Sequence, residues 1–183
     1  MRQFAPNNLA AMFIFVTGVA GSGKSTLCAH LGSQGANAHD ADEGISRHVR
    51  LSDGEPAAAP PRREQTPEWA AAHEYRFDLD RVRELARGDK DRTTFLLGAA
   101  YGDDDVIAIA DRSFYLDLGE DQLLARLAAR GPGGYGSELH EVESILAWHA
   151  GAAERYEALG AIRLDATLPP RELAARLLAA TGA

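Results

Sequence analysis

The chain contains one cysteine, two lysines and no apolar run long enough to span a bilayer, and each scarcity narrows what the protein can be. A single thiol, Cys28, cannot close an internal disulfide, so the fold must stand on packing, as expected of a reducing compartment. The best membrane candidate, Leu9 to Val16, is about half of the ~18 residues a spanning helix needs and has neither a basic flank nor a cleavage site. These features predict a soluble, cytoplasmic protein. Six scattered histidines and one cysteine give no zinc-site spacing. Positive charge is short as well: 19 basic side chains face 27 acidic ones, for a net charge of −8, which repels polyanions and argues against sequence-independent nucleic-acid binding. Any anionic ligand must be caught locally. Arginine and alanine dominate, a bias that suggests a GC-rich genome, and against that background Lys24 is conspicuous by position; the other lysine is Lys90.

What is present fits one globular domain over residues 1–183: 45% hydrophobic and 25% charged residues, enough to bury a sizeable core. Residues 12–17 form a continuous run of aromatic and branched side chains ended by glycine, the pattern of a strand buried on both faces. Further strands are predicted at 37–39, 93–97, 114–118 and 162–164. Helices are predicted from Lys24 to Leu31, over 79–86 ending at Gly88, as a short segment before Phe114, and from Asp121 to Arg130. One long helix is expected from Leu139 through Tyr156, and a last one opens at Pro169 or Pro170, where a first turn accepts proline. Residues 52–67 hold four of the eight prolines and read as a loop. Gly131 to Gly136 is the most glycine-rich stretch. Strands alternating with helices predict an α/β protein with a parallel sheet covered on both faces.

The chemistry is concentrated in Gly18-Val19-Ala20-Gly21-Ser22-Gly23-Lys24-Ser25, which fits G-x-x-x-x-G-K-S/T without departure and lies between a predicted strand and a predicted helix. Such glycines let successive amides turn inward to cradle phosphate oxygens at a helix N-terminus. Lys24 would reach the terminal phosphates and Ser25 would ligate magnesium. Thr26 is either a further phosphate contact or a plain helical threonine. The third strand ends in Gly98 where motor-type ATPases carry an acid, so a carboxylate for magnesium must come from elsewhere. Asp40 and Asp42 are the natural suppliers, because alternate residues of an extended segment share a side; the competing reading is a solvated acidic loop that caps the next helix, with Glu43 in its first turn. Neither Asn-Lys-x-Asp nor Asp-x-x-Gly is present, which disfavours a regulatory GTPase.

From Phe13 to Leu178 the chain resembles the P-loop kinase family, especially its nucleoside-monophosphate-kinase-like and shikimate-kinase-like members. That resemblance implies a three-layer fold around a five-stranded parallel sheet of order 2-3-1-4-5, an acceptor segment after the second strand (here about 40–76) and an arginine-bearing lid after the fourth (about 126–140). It also implies ATP and magnesium as ligands. By it Asp40 would hold metal-bound water or act as base, Asp42 would bind the acceptor, and Arg155 would echo a substrate-contacting arginine. Trp148-His149 and Asp165-Ala166-Thr167 are similar to pairs found in a further set of kinase-like P-loop ATPases. Arg126 and Arg130, four apart on one helix, are either mobile lid arginines that stabilise transition-state charge or a solvated helix end. His149 is either packed or near the chemistry. Trp69, His73, Tyr75 and Arg76 anchor a loop or stack on substrate, and Arg62-Arg63 are solvated or meet a charged acceptor. The expected activity is an ATP- and magnesium-dependent transfer of a γ-phosphoryl group to a small-molecule acceptor. The alternatives are an ATPase or nucleotide sensor without an acceptor and, disfavoured by charge, a polynucleotide 5′-end kinase.

Overall fold

The computed structural model describes residues 11–88, 91–131 and 134–181, apart from the side chains of Arg63 and Thr181. The lead-in, Lys90 and the middle of the glycine-rich stretch, Pro132 and Gly133, lie outside them. Among the described residues no helix is long and apolar enough to cross a membrane.

Five parallel strands make the central sheet: β1 (Phe13–Thr17), β2 (Asn37–Asp40), β5 (Thr94–Leu97), β6 (Arg112–Asp117) and β7 (Ile162–Asp165). Their order is β2-β5-β1-β6-β7. This numbering departs from the expected 2-3-1-4-5 because an unanticipated hairpin, β3 (Ser46–Arg50) with β4 (His73–Phe77), forms a separate antiparallel sheet; numbered among themselves, the five central strands run 2-3-1-4-5. Every residue of β1 is buried, since it is the middle strand with helices on both faces. Alternation then divides the core. Ile14 and Val16 face a cluster with Leu27 and Leu31 of α1 (Lys24–Ser33) and Leu173 and Leu177 of α8 (Pro170–Thr181). Phe13 and Phe15 face Val82 of α3 (Leu79–Arg87), Val106 of α4 (Asp103–Ile109) and Phe77. Cys28 is buried on the α1 side, where burial raises its thiol to about 11, with Asp40 and Glu43 adding to the effect.

Three local expectations change. Residues 52–67 are not featureless: the backbone makes a bridge between Val49 and Pro56, a short 3-10 turn spans Arg62–Glu64, and α2 (Pro67–Ala72) starts on a cap in which Thr66 Oγ1 accepts from Trp69 N at 3.2 Å. No helix follows Asp42; residues 41–45 are a turn into β3, so Glu43 is an exposed turn residue. The long helix after Leu139 is two, α6 (Leu139–His149) and α7 (Ala152–Ala158), because Ala150 is extended and Gly151 takes φ +73, a left-handed conformation that suits glycine. The break turns α7 so that Tyr156 stacks on Tyr115, ring centroids 4.8 Å apart. Between β6 and α6 lies α5 (Glu120–Ala128).

Candidate active site

The glycine loop leaves the carboxyl end of β1 and enters α1, as its pattern requires. Gly21 and Gly23 have φ +97 and +104, which side chains disfavour. Gly18 is needed for space instead, since a Cβ there would lie 2.7 Å from Ser22 Oγ and 3.0 Å from Leu116 O. Ser22 N closes a turn onto Val19 O at 3.0 Å, and Ser22 itself is buried with its Oγ unpartnered. Ala20 is half-buried, and Ser25 and Thr26 stand exposed in the first turn of α1. That first turn has no acidic residue, and its amides have no intrahelical acceptor, so its field favours an anion.

Lys24 folds back over the loop and donates to Gly18 O at 2.6 Å and Val19 O at 3.0 Å. Burial lowers its ammonium from 10.5 to about 8; the charges of Asp42 and Asp40 oppose that fall, and Arg130 adds to it. The loop lysine, both carboxylates and one arginine therefore share one electrostatic neighbourhood. Asp40 ends β2, half-buried, and its Oδ1 accepts from Asp42 N at 3.1 Å. Asp42 is exposed and accepts a 2.7 Å hydrogen bond from the Tyr75 hydroxyl, whose ionisation burial and Asp42 push up. Gly98 explains why no acid ends β5. A Cβ there would collide with the Cβ of Ala41, which is fully buried between the two aspartates.

The arginines part company. Arg126 is committed beneath the loop, donating to Ser22 O at 3.0 Å, to Gly21 O at 3.4 Å and to Ala166 O at 2.6 Å, so it braces the loop against the turn after β7. In that turn Thr167 donates through both its backbone N and its hydroxyl to Asp165. Arg130, exposed, donates to Tyr135 O at 2.7 Å. Arg155 pairs at 2.9 Å with Asp103, a carboxylate only 2% exposed that also accepts from the Tyr156 hydroxyl. The Tyr156 hydroxyl is raised to about 12 by burial and by Asp103. Asp111 holds Phe13 N at 2.7 Å, at the opposite end of β1 from the loop. His149 ends α6 half-buried, with Nδ1 unpartnered.

Two further groups had little or no local signal. His48 lies 4.9 Å from both the Trp69 and the Tyr75 rings. Glu141 of α6 is buried, accepts from Gly136 N at 2.9 Å and Glu138 N at 3.2 Å, and pairs with Arg62, whose guanidinium lies 5.1 Å from the Tyr135 ring centre. Only the Glu138-to-Glu141 spacing, a helix-start pattern, hinted at it. Arg62 is thus paired rather than free.

Neither a family model nor a curated protein matches the sequence. Solved structures do. A sugar kinase from Janibacter sp. HTCC2649 is 22% identical and superposes with a TM-score of 0.53, covering 92% of this chain and 93% of its own. A shikimate kinase from Acinetobacter baumannii, solved with shikimate, is 15% identical with a TM-score of 0.58, covering 92% and 91%. The chain has the P-loop kinase fold. Here the loop leading to Lys24 leaves the carboxyl end of β1, Asp40 ends the parallel strand β2 with Asp42 just beyond it, and Arg130, in the α5–α6 connection, acts on the Lys24 ammonium.

Proposed function

We propose that this protein is an ATP- and magnesium-dependent phosphotransferase that moves a γ-phosphoryl group to a small-molecule acceptor. The observation that carries the reading is the glycine loop with Lys24 laid over it, together with the charges of Asp42, Asp40 and Arg130, which all act on its ammonium. A loop alone supports nucleotide binding; a carboxylate pair across from the lysine supports an acceptor as well. That the two solved structures described above are a sugar kinase and a shikimate kinase supports the same class.

In this reading the triphosphate lies along Gly18, Ala20, Gly21, Ser22, Gly23, Lys24, Ser25 and Thr26, and Lys24 exchanges its two carbonyl partners for phosphate oxygen. Ser25 and Asp40 are the residues that would hold magnesium, and the donor set fits: a hydroxyl beside a phosphate loop and a carboxylate with an oxygen to spare. Bound magnesium would supply neutralisation of phosphate charge. Asp40 also accepts the acceptor's hydroxyl proton, and Asp42, oriented by Tyr75, holds the acceptor. Arg130 lies at the lid base, where it can follow the transferring charge. Arg126 acts through the loop it braces, and the pairing of Arg155 with Asp103 leaves it a structural task.

The test is Lys24→Ala. Losing a contact that opposes developing phosphate charge costs roughly 3 to 4 kcal/mol, or ~10² to 10³ in rate, with the fold intact. Acceptor-dependent ADP release measures it; activity within a few-fold of the parent chain would reject the reading, and hydrolysis indifferent to any acceptor would favour an ATPase.

A further inference from the structure

The hairpin β3–β4 gives the acceptor side of the site a chemical character. Its register places His48 opposite Tyr75 and Ser46 opposite Phe77, so these side chains share one face. At the inner end of that face Phe77 packs edge-on against Phe15 of β1. Next comes Tyr75 with its hydroxyl on Asp42, then His48, then Trp69 of α2. Trp69 stacks on His73 at 4.4 Å, and His73 is held by a hydrogen bond between its Nδ1 and Trp69 O. Tyr101 adjoins Tyr75 through its backbone only, its N donating to Tyr75 O at 2.9 Å, while its ring lies 5.7 Å from that of Trp148. An aromatic wall thus runs from Asp42 outward.

The described guanidinium groups of the same segment are committed elsewhere. Arg47 pairs with Asp78 at 2.9 Å, Arg50 with Asp53, Arg62 with Glu141 and Arg76 with Glu74 at 2.8 Å. Every guanidinium described between residues 40 and 76 therefore already has a carboxylate. His48 adds no charge at neutral pH, because burial, and then the neighbouring His73, lower its pKa. A carboxylate or phosphate on the acceptor would face Asp40 and Asp42 with no free described cation in this wall to offset the repulsion. Hydroxyl groups suit the same surroundings, since they donate to carboxylates while the apolar face of a ring packs on aromatic side chains.

We infer that the acceptor is an uncharged, hydroxylated ring, a sugar, cyclitol or nucleoside, seated on the Tyr75–His48–Trp69 wall with a hydroxyl on Asp42. The inference rests on the phosphotransferase reading and narrows its acceptor.

Matched pairs test it. Saturation-transfer NMR on the full chain compares myo-inositol with shikimate, ribose with ribose 5-phosphate, and cytidine with cytidine 5′-monophosphate, and the same samples with ATP and magnesium are then assayed for phosphorylated ring by mass. At least one neutral member binds about tenfold or more tighter than its anionic partner, and the responding pair separates cyclitol, sugar and nucleoside. Trp69→Ala weakens that binding roughly tenfold, while Trp69→Phe stays within about threefold, which separates loss of the ring from loss of the fold. Anionic members binding as well as or better than neutral ones, no binding by any neutral member, or indifference to Trp69→Ala each overturn it. Neutral binding without transfer would instead remove the phosphotransferase reading and leave the ring preference standing.

Discussion

Lys24 holds its proton less firmly than an ordinary lysine because half-burial removes water from the ammonium faster than Asp42 and Asp40 return favourable charge. The free protein therefore loses that charge near pH 8, and kcat/KM for ATP should fall about tenfold per pH unit above it. The limb in kcat should lie higher, since bound phosphate favours the charged form. Stability moves the other way: the unfolded chain keeps this proton up to 10.5 and the folded one only to about 8, so between those values the group's contribution rises with pH. Lys24→Arg, charged throughout, should erase the limb in a pH–rate profile; a limb unmoved by that change would assign it to another group. The aspartates should separate as well. Asp40→Asn should lower kcat and the magnesium response, and Asp42→Asn should raise acceptor KM, with nucleotide affinity in magnesium-free buffer unchanged in both. Steady-state kinetics at varied magnesium and acceptor decide, and identical behaviour of the two variants would reject the division of labour.

Gly98, the residue after β5, lets Ala41 between the two aspartates pack where a side chain would stand. Gly98→Ala drives a methyl into Ala41, and because both are buried the strain, about 1 to 3 kcal/mol by analogy with other overpacked cores, is relieved by displacing the Asp40–Asp42 turn. Turnover should drop while nucleotide binding holds, as measured by ADP release against nucleotide titration; an unchanged kcat would mean that the turn's position is irrelevant to chemistry. The elements differ in how plainly the sequence announces them. The central strands are legible because strands buried on both faces are written as apolar runs, as in β1 and β5, and the glycine loop because its chemistry is local. The β3–β4 hairpin is not: Ser46–Arg50 and His73–Phe77 are polar, all of 51–72 separates them, and no two-residue turn marks the pair. The helix break at Gly151 was hidden for another reason, since apolar spacing continues across it until the turn is made. At the site, Asp40 and Asp42 were readable as a pair, whereas Tyr75 on Asp42 and Glu141 on Arg62 join residues 33 and 79 apart, beyond the reach of any local pattern.

Across the whole molecule, the Arg62–Glu141 pair joins the segment between β3 and β4 to the first turn of α6, so these two parts of the chain are coupled by one partly exposed ion pair. Arg62 remains about one-third accessible, 35%, which limits the pair's worth to roughly 1 kcal/mol. Arg62→Ala should leave the melting temperature nearly unchanged yet speed amide exchange in residues 134–141 by about fivefold, and Arg62→Lys should recover part of the protection. Hydrogen-exchange mass spectrometry reads this directly, and unchanged protection would mean the two parts open independently.

The brace from Arg126 to the turn after β7 bears on how the protein is made. The glycine loop and α1 are synthesised before the residues that hold them, since the loop's support arrives with Arg126 and Ala166 and α1 is covered by Leu173 and Leu177 of α8. Chains emerge amino end first. A nascent or prematurely stopped chain that contains the glycine loop but not Arg126 and Ala166 would therefore hold that loop unsupported, and on the phosphotransferase reading competence for nucleotide would come only as β7 and α8 dock onto what was built before them.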